Sequence, residues 1–267
     1  MLRAFGSAVS GMRSQQAFMD IVANNIANVS TTGFKTQRAR FSDMLYQTLS
    51  GGSAGSATTG GVDPNQIGLG VRLAGTDNLM NQGALRATGS PLDLAVEGDG
   101  FFELKDPSGG KFYTRDGAFG VDANKHLVNP STGMLVQDKS EANITIDMSL
   151  YSSISVGPDG NIVGVKADGS GTTTIAQLGL VTFPNEGGLD RTGDNLWKEG
   201  AASGPAAIDA PQLNGRGRLR AGVLESSNTD LAQEFSNMII AQRGFEANTK
   251  VITASDEILQ SLVNIIH

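Results

Sequence analysis

The sequence has 267 residues, a formal net charge of −7 and no cysteine. The acidic balance argues against binding to nucleic acid or to an anionic membrane surface, because both interactions depend on clustered lysine and arginine. Without cysteine the chain has no disulfide, thiolate metal site or cysteine nucleophile. In addition, no apolar run reaches the ~18 residues that predict a membrane-spanning helix.

The first predicted element is a helix over about residues 2–29, within an N-terminal segment 1–33. Its apolar residues recur at spacings of three and four, and one series repeats every seven residues. A period near 3.5 keeps one seam facing a partner helix, as in coiled coils. The seam consists of Leu2, Phe5, Val9, Met12, Met19 and Ile26. Gly33 is a candidate C-cap that ends the helix.

Residues 34–70 are predicted to form a flexible connector. Its first part, Phe34 to Leu49, is compatible with a short helix or with a pair of strands. Residues 51–61 contain only Gly, Ser, Ala and Thr, a composition typical of flexible links.

Residues 71–226 are predicted to form an antiparallel β-rich outer domain, a sandwich or a barrel. Apolar alternation or short apolar runs predict strands at 92–96, 144–146, 154–156 and 178–183. Hairpin-type turns are indicated at Gly109-Gly110, Asp116-Gly117, Asp159-Gly160-Asn161 and Asp168-Gly169. No alternation of strands and helices typical of a parallel sheet is present.

The last predicted element is a helix over 230–266, within a C-terminal segment 227–267. Its apolar seam repeats every seven residues without exception, at Met238, Phe245, Ile252, Leu259 and Ile266. Asp230 and Glu234 place negative charge near its first turn, where the helix dipole favours it. The predicted fold class is therefore α+β, with the two terminal helices forming a coiled-coil pair, an antiparallel β-rich central domain and a flexible connector.

The two apolar seams indicate self-assembly. A long amphipathic helix buries its apolar face only against another surface, and monomers rarely expose large apolar patches. We interpret the ends as pairing with each other and with equivalent helices of neighbouring copies. Before assembly they are predicted to be partly disordered, because unpacked helices are marginal in water. The alternative is an intramolecular helical hairpin packed on the β-rich domain.

Patterns that resemble catalytic or binding motifs have simpler explanations. Gly51-Gly52-Ser53-Ala54-Gly55 matches the hydrolase nucleophile pattern, but it lies in the low-complexity stretch and His126 follows a polar turn. Arg216, Arg218 and Arg220 are interpreted as a solvated strand face or as subunit salt bridges. Trp197 is predicted to lie in the core. No catalytic, cofactor-binding or metal-binding residue is predicted, and the chain is not expected to be an enzyme.

Four separated segments resemble the bacterial flagellar rod and hook proteins. They are residues 23–35, 93–102, 113–119 and 241–248, which occur in the family's order and span nearly the whole chain. The resemblance implies a hollow helical axial polymer, with the terminal helices in an inner coiled-coil tube and the β-rich domain outside. In this setting Asn24, Asn25 and Asn28 are expected either to cap backbone groups or cross-link neighbouring helices, or simply to fray the helix end.

The resemblance also implies where the protein acts and what it contacts. Subunits of this family are exported unfolded through the flagellar type III apparatus, without a cleaved signal peptide, and reside in the basal body or hook. The implied partners are other copies of the chain, neighbouring rod and hook-filament junction proteins, and the hook cap protein during assembly. Nucleic acid, membrane insertion and cofactors are not implied.

Residues 66–71 and 250–260 look most like short hook proteins, with the distal rod protein as the close rival. Many hook proteins carry an additional outer domain that this chain is too short to contain. The first expectation is a curved hook that transmits torque as a universal joint, and the alternative is a straight, rigid distal rod. A hook bends while it rotates, so its connector must let the inner helices and the outer domain slide relative to each other. A rod is stiff, so its connector must be packed.

Overall fold

The computed structural model describes residues 2–55, 58, 60–167 and 171–266. Part of the low-complexity stretch and the predicted turn at Asp168-Gly169 lie outside these residues, as do the side chains of Leu2, Leu262, Ile265 and Ile266. The chain divides into two compact units. One comprises Met1–Ala27, Gln37–Asn78 and Asp230–His267, and the other comprises Asn28–Thr36 and Leu79–Thr229. We call them the helical unit and the β unit; the four-part division proposed above stays a prediction.

Within the residues that the structure describes, the helical unit has two helices and four strands: α1 (Leu2–Ala27), β1 (Gln37–Asp43), β2 (Tyr46–Ser50), β3 (Asn65–Gly68), β4 (Val71–Asn78) and α2 (Leu231–Ile266). β1 pairs antiparallel with β4, and β2 pairs antiparallel with β3. We call residues 37–78 the ribbon. Strands, rather than a short helix, therefore occupy most of 34–49. Neither helix within the described residues is apolar enough over a sufficient length to cross a membrane.

Local chemistry explains where the helices begin and end. Asp230 caps α2, because its Oδ1 accepts hydrogen bonds from the backbone N–H groups of Ala232 and Gln233 at 2.9 and 3.3 Å. α1 ends at Ala27, so the prediction that Gly33 caps this helix is wrong. Gly33 has a φ of +68°, and a Cβ there would lie 2.7 Å from the backbone nitrogen of Asp116. This position needs glycine because two backbone segments approach closely.

The β unit contains sixteen described strands and one short 3₁₀ turn at Glu186–Gly188. The strands are β5 (Leu85–Ala87), β6 (Leu94–Glu97), β7 (Phe101–Lys105), β8 (Lys111–Thr114), β9 (Gly120–Val121), β10 (Leu127–Val128), β11 (Leu135–Val136), β12 (Tyr151–Val156), β13 (Asn161–Lys166), β14 (Thr172–Gln177), β15 (Leu180–Thr182), β16 (Asp190–Gly193), β17 (Leu196–Lys198), β18 (Ala207–Asp209), β19 (Arg218–Ala221) and β20 (Val223–Glu225).

The predicted antiparallel arrangement of the β unit is confirmed. Its main sheet has the order β16-β17-β8-β7-β11-β10-β9, with β15 beside β7 and β18 beside β15. A second sheet has the order β12-β13-β14, and two further pairs are β6 with β19 and β5 with β20. Every pairing between these described strands is antiparallel.

The local strand and turn predictions in the β unit are correct in part. The turns at 109–110 and 159–161 join β7 to β8 and β12 to β13, as predicted. The strand predicted at 144–146 is wrong, because Thr145 forms only an isolated bridge with His126. The hairpin turn predicted at Asp116-Gly117 is also wrong. The Gly117 carbonyl instead accepts a hydrogen bond from Leu94 N–H at 3.0 Å, which brings this segment against β6.

Two apolar clusters form the core of the β unit. The larger includes Leu94, Val96, Phe102, Leu104, Leu127, Ile146, Ile162 and Leu178. The smaller includes Phe101, Tyr113, Val181, Phe183 and Trp197. Trp197 is buried as predicted, and the Arg191 guanidinium lies 4.4 Å from its ring centre.

The short segment 28–36 is part of the β unit because buried polar contacts hold it there. Lys35 Nζ forms an ion pair with Glu225 Oε1 at 2.6 Å, and both side chains are almost fully buried. The Gly33 N–H donates to the Glu225 carbonyl at 2.8 Å. The Asn228 side chain accepts from Thr36 N–H at 2.8 Å and donates to the Leu79 carbonyl at 2.8 Å. These contacts hold the first residues of the β unit beside its last residues.

Candidate self-assembly surface

The two helices of the helical unit pack antiparallel through a reciprocal contact. A Cβ on Gly11 of α1 would lie 2.8 Å from Asn248 Oδ1 of α2. Further along α1, a Cβ on Gly244 of α2 would lie 2.8 Å from Gln15 Cδ. Each helix thus offers a glycine that makes room for an amide side chain of the other. This exchange brings the two backbones close together.

The buried positions of α1 and α2 carry mostly small or polar residues. The buried positions are Ala8, Gly11, Ser14, Val22 and Asn25 in α1, and Ala241 and Ser255 in α2. Together with the half-buried Asn248, the α2 residues recur every seven positions, three after the predicted apolar series. In α1, Ala8 and Val22 have the same offset from Phe5 and Met19, whereas Gly11 and Asn25 come one residue before Met12 and Ile26. The intramolecular contact of α2 therefore uses a face next to the predicted seam.

The large apolar residues predicted to mediate assembly remain partly accessible. Val9, Met12, Met19, Ile26, Met238, Phe245 and Ile252 are half-buried. Phe5 and Leu259 are exposed, and the side chains of Leu2 and Ile266 lie outside the described residues. α2 also exposes Phe235, Ile239, Ile240, Val251, Ile258 and Val263. Burial of these residues against other copies stays a prediction, and the structure leaves them available for it.

The three asparagines near the end of α1 have different environments. Asn25 is buried and pairs with the backbone of Gln37 in β1, donating to its carbonyl at 2.8 Å and accepting from its N–H at 3.0 Å. It also donates to Glu234 Oε1 in α2 at 3.3 Å, while burial raises the pKa of Glu234. Asn24 is exposed, and Asn28 Oδ1 accepts from the Thr31 hydroxyl at 3.1 Å. Asn25 therefore ties both helices to the ribbon.

The ribbon itself presents an apolar surface that sequence reasoning did not predict. Every residue of β2 and β3 is exposed. The exposed apolar side chains are Phe41, Met44, Leu45, Tyr46, Leu49, Val62, Ile67, Leu69 and Leu73. A patch of this kind on a monomer marks an interaction surface. Apolar residues alternate with glycine or arginine over 67–73, and this alternation was the signal available in the sequence.

The weak catalytic and basic motifs have structural roles. Ser53 is exposed and forms a bridge with Val62. Arg216 is buried and donates to the carbonyls of Leu180 and Ala207 at 2.9 and 2.6 Å, so its interpretation as part of a solvated strand face or of subunit salt bridges is wrong. Arg218 forms an exposed ion pair with Glu97 at 2.8 Å. Within the described residues, no group of three or more His, Asp or Glu side chains could hold a metal ion.

Models of three protein families match the chain. "Flagella basal body rod protein" matches residues 5–35, "Flagellar hook protein FlgE/F/G D1 domain" matches residues 95–164, and "Flagellar basal body rod FlgEFG protein C-terminal" matches residues 220–265. The first and third matches cover most of α1 and α2, and the second covers the centre of the β unit.

Full-length relatives carry related names. Flagellar basal-body rod protein FlgG of Bacillus subtilis is 46% identical over 266 residues, covering 99% of both chains. The FlgG protein of Caulobacter vibrioides is 41% identical, covering 97% of this chain and 98% of the relative. Flagellar hook protein FlgE of Borreliella burgdorferi is 29% identical in an alignment of 443 residues, covering 99% of this chain and 100% of the relative.

Proposed function

This chain belongs to the family of flagellar rod and hook axial proteins, and from that premise we propose that it is the distal rod subunit of the flagellar basal body. As a member of this family it is a self-assembling structural protein of the flagellum and not an enzyme. In the proposed role it polymerises into a straight, rigid hollow shaft. The proposed assignment to the distal rod replaces the initial expectation of a hook subunit.

The pattern of identities is the observation that carries this proposal. Rod relatives named FlgG align along 96–99% of the chain at 36–46% identity, whereas the hook relative reaches 29%. The hook alignment runs over 443 residues, so the hook relative contains long segments without a counterpart in this chain. The resemblance of residues 66–71 and 250–260 to hook proteins is therefore outweighed by the alignment of the whole chain.

The ribbon offers a structural argument in the same direction. β1 and β4 pair in register from Gln37–Asn78 to Asp43–Val71, with one irregularity. Gly70 packs directly on α1, because a Cβ there would overlap Ser10 Oγ. Paired strands that pack on a helix resist relative movement of the connected parts better than an unpaired link does. A rigid shaft requires such resistance.

The proposed function also implies which partners the chain contacts. Large apolar residues of α1, α2 and the ribbon become buried against neighbouring copies, and the ends of the polymer contact adjacent axial proteins. Export through the flagellar type III apparatus also belongs to the proposal. The hook cap protein was a partner expected of a hook subunit, so it is not part of the proposed rod function.

Complementation tests the proposal. The chain is expressed in two strains of a flagellated bacterium, one lacking its own distal rod protein and the other lacking its hook protein. We expect restored, straight rods in isolated basal bodies of the first strain, and no hook in the second. Curved polymers on the second strain, together with failure in the first, would establish the hook function instead.

A further inference from the structure

A groove in the helical unit lies between α1 and the ribbon. Its walls include Val9 and Arg13 of α1 and Met44, Leu69 and Arg72 of the ribbon. It holds about 440 Å³, well above the ~150 Å³ cavity that binds a benzene molecule. The groove therefore has room for several aliphatic side chains, and two arginines are among its lining residues.

The C-terminal end of α2 extends beyond α1. The contacts of Gly11 with Asn248 and of Gln15 with Gly244 set a register in which Leu2 is level with about Glu257. The last nine residues of α2 therefore project past the start of α1, by roughly 13 Å at ~1.5 Å per residue. Within this projection Ile258, Leu259 and Val263 are 51%, 42% and 58% exposed, so α1 does not cover them.

We propose that the groove of one copy receives the α2 segment 256–263 of a neighbouring copy, an inference that rests on self-assembly in the proposed function. The chemistry of the two surfaces is complementary. The segment presents Asp256 and Glu257 beside its apolar residues, whereas the groove presents Arg13 and Arg72 beside its own. None of these four charged side chains forms a salt bridge within the described part of the chain.

The segment does not occupy the groove of its own chain. α2 is a continuous helix through Ile266, and its last residues point away from α1 beyond Leu2. The groove lies on the opposite side of Leu2 along the helix axis, beside residues 6–14 of α1. A second copy is therefore required to bring the two surfaces together.

This contact is heterologous, because the groove and the segment are different surfaces. A heterologous contact that does not close into a ring continues as a helical polymer. Each copy then uses its groove for one neighbour and its α2 end for another. The contact explains how one chain extends an axial polymer without a self-complementary dimer interface.

Engineered disulfides test the contact, because the natural chain has no cysteine. Basal bodies are isolated from cells that express Leu69→Cys and Leu259→Cys chains together, oxidised, and run on a non-reducing gel. We expect a dimer from the mixture, monomers from either variant alone, and a ladder from the double variant. The matched control pairs Leu259→Cys with Leu49→Cys, an exposed ribbon residue outside the groove, and is expected to remain monomeric.

The outcomes separate this inference from the proposed function. Straight rods that assemble without the Leu69–Leu259 cross-link, or with the Leu49 cross-link instead, overturn the inference and leave the function standing. The cross-link in curved polymers supports the inference and overturns the rod function.

Charge reversal tests the contact between the groove and the α2 segment if a cysteine variant fails to assemble. Arg72→Glu is expected to cause a loss of assembled chain, and adding Glu257→Arg in the same chain is expected to restore it. Absence of that restoration also overturns the inference.

Discussion

Glu225 shows how one buried side chain joins three parts of the β unit. Its Oε1 accepts from Lys35 Nζ at 2.6 Å and from the Gly83 N–H at 2.8 Å. The Arg115 guanidinium lies 3.8 Å from its Oε2. Burial lowers the pKa of Lys35, and the charge of Glu225 opposes that shift. Segment 28–36 is therefore held by a charged side chain that is buried from solvent.

We predict that Glu225→Ala destabilises the β unit by about 3–5 kcal/mol, because removing one partner of a buried ion pair leaves the other charge uncompensated. Urea unfolding of the purified chain measures the change. Arg218→Ala, which removes an exposed ion pair in the same unit, is the control and should change stability little. Equal effects of the two variants would contradict the assigned role of Glu225.

Asn25 has a comparable role in the helical unit. We predict that Asn25→Ala leaves the Gln37 N–H and carbonyl without their amide partner, at a cost of about 1–3 kcal/mol. Amide hydrogen exchange at Gln37 should then accelerate about 5- to 140-fold, at ~1.4 kcal/mol per factor of ten. Asn24→Ala, at an exposed position one residue earlier, provides the control. Unchanged exchange in the Asn25 variant would refute the prediction.

At the level of elements, α1 and α2 depend on glycines that helices ordinarily disfavour. Glycine costs about 1 kcal/mol relative to alanine inside a helix. Here Gly11 and Gly244 allow close packing, and Asn248 Nδ2 also donates to the Gly244 carbonyl at 2.9 Å. The gain from close packing offsets the intrinsic preference.

We predict that Gly11→Val prevents α1 and α2 from pairing within one copy, because the added side chain occupies the space of Asn248. The measurement is an intramolecular disulfide between Met12→Cys and Thr249→Cys, whose natural side chains are in contact at 3.5 Å. Adding Gly11→Val should abolish the cross-link. Gly6→Val should preserve it, since beyond the neighbouring backbone of α1 no described atom lies within 4 Å of a Cβ at Gly6. If Gly11→Val cross-links as well as Gly6→Val does, the close packing is not required.

The ribbon is an element whose stability has to come from outside it. A two-stranded hairpin is marginally stable in water at best. β2 and β3 expose all their residues, and Leu45 between β1 and β2 is 81% exposed. The ribbon is therefore suited to become rigid when neighbouring copies cover it, which agrees with the proposed role in a stiff shaft.

For the whole molecule, the division into two units predicts which part folds alone. The Leu79 N–H donates to the Thr36 carbonyl at 2.9 Å, so the two ends of the excluded ribbon meet. We predict that residues 28–229, with 37–78 replaced by an Asn-Gly turn, form a soluble monomer that unfolds cooperatively.

The same shortened chain should not enter basal bodies when it is expressed beside the full-length protein. Sedimentation of the purified chain and immunoblotting of isolated basal bodies measure the two properties, with the full-length chain as the control. Incorporation of the shortened chain would show that assembly does not depend on the helical unit.

The amino-acid sequence by itself determined the helices, the β-rich centre and the seven-residue period. These features follow from local periodicity, the Asp230 cap and turn residues such as Gly109-Gly110. The family motifs also indicated an axial protein.

Only the tertiary structure decided which helix faces meet and what single polar residues do. Small residues allow closer approach than large ones, so the face centred on Ala241 and Asn248 packs against α1, and Phe245 and Leu259 remain partly accessible. Asn25 finds its partner twelve residues away and Lys35 finds Glu225 nearly two hundred residues away. Pairings at such separations depend on how the chain folds in space, and local patterns do not contain that information.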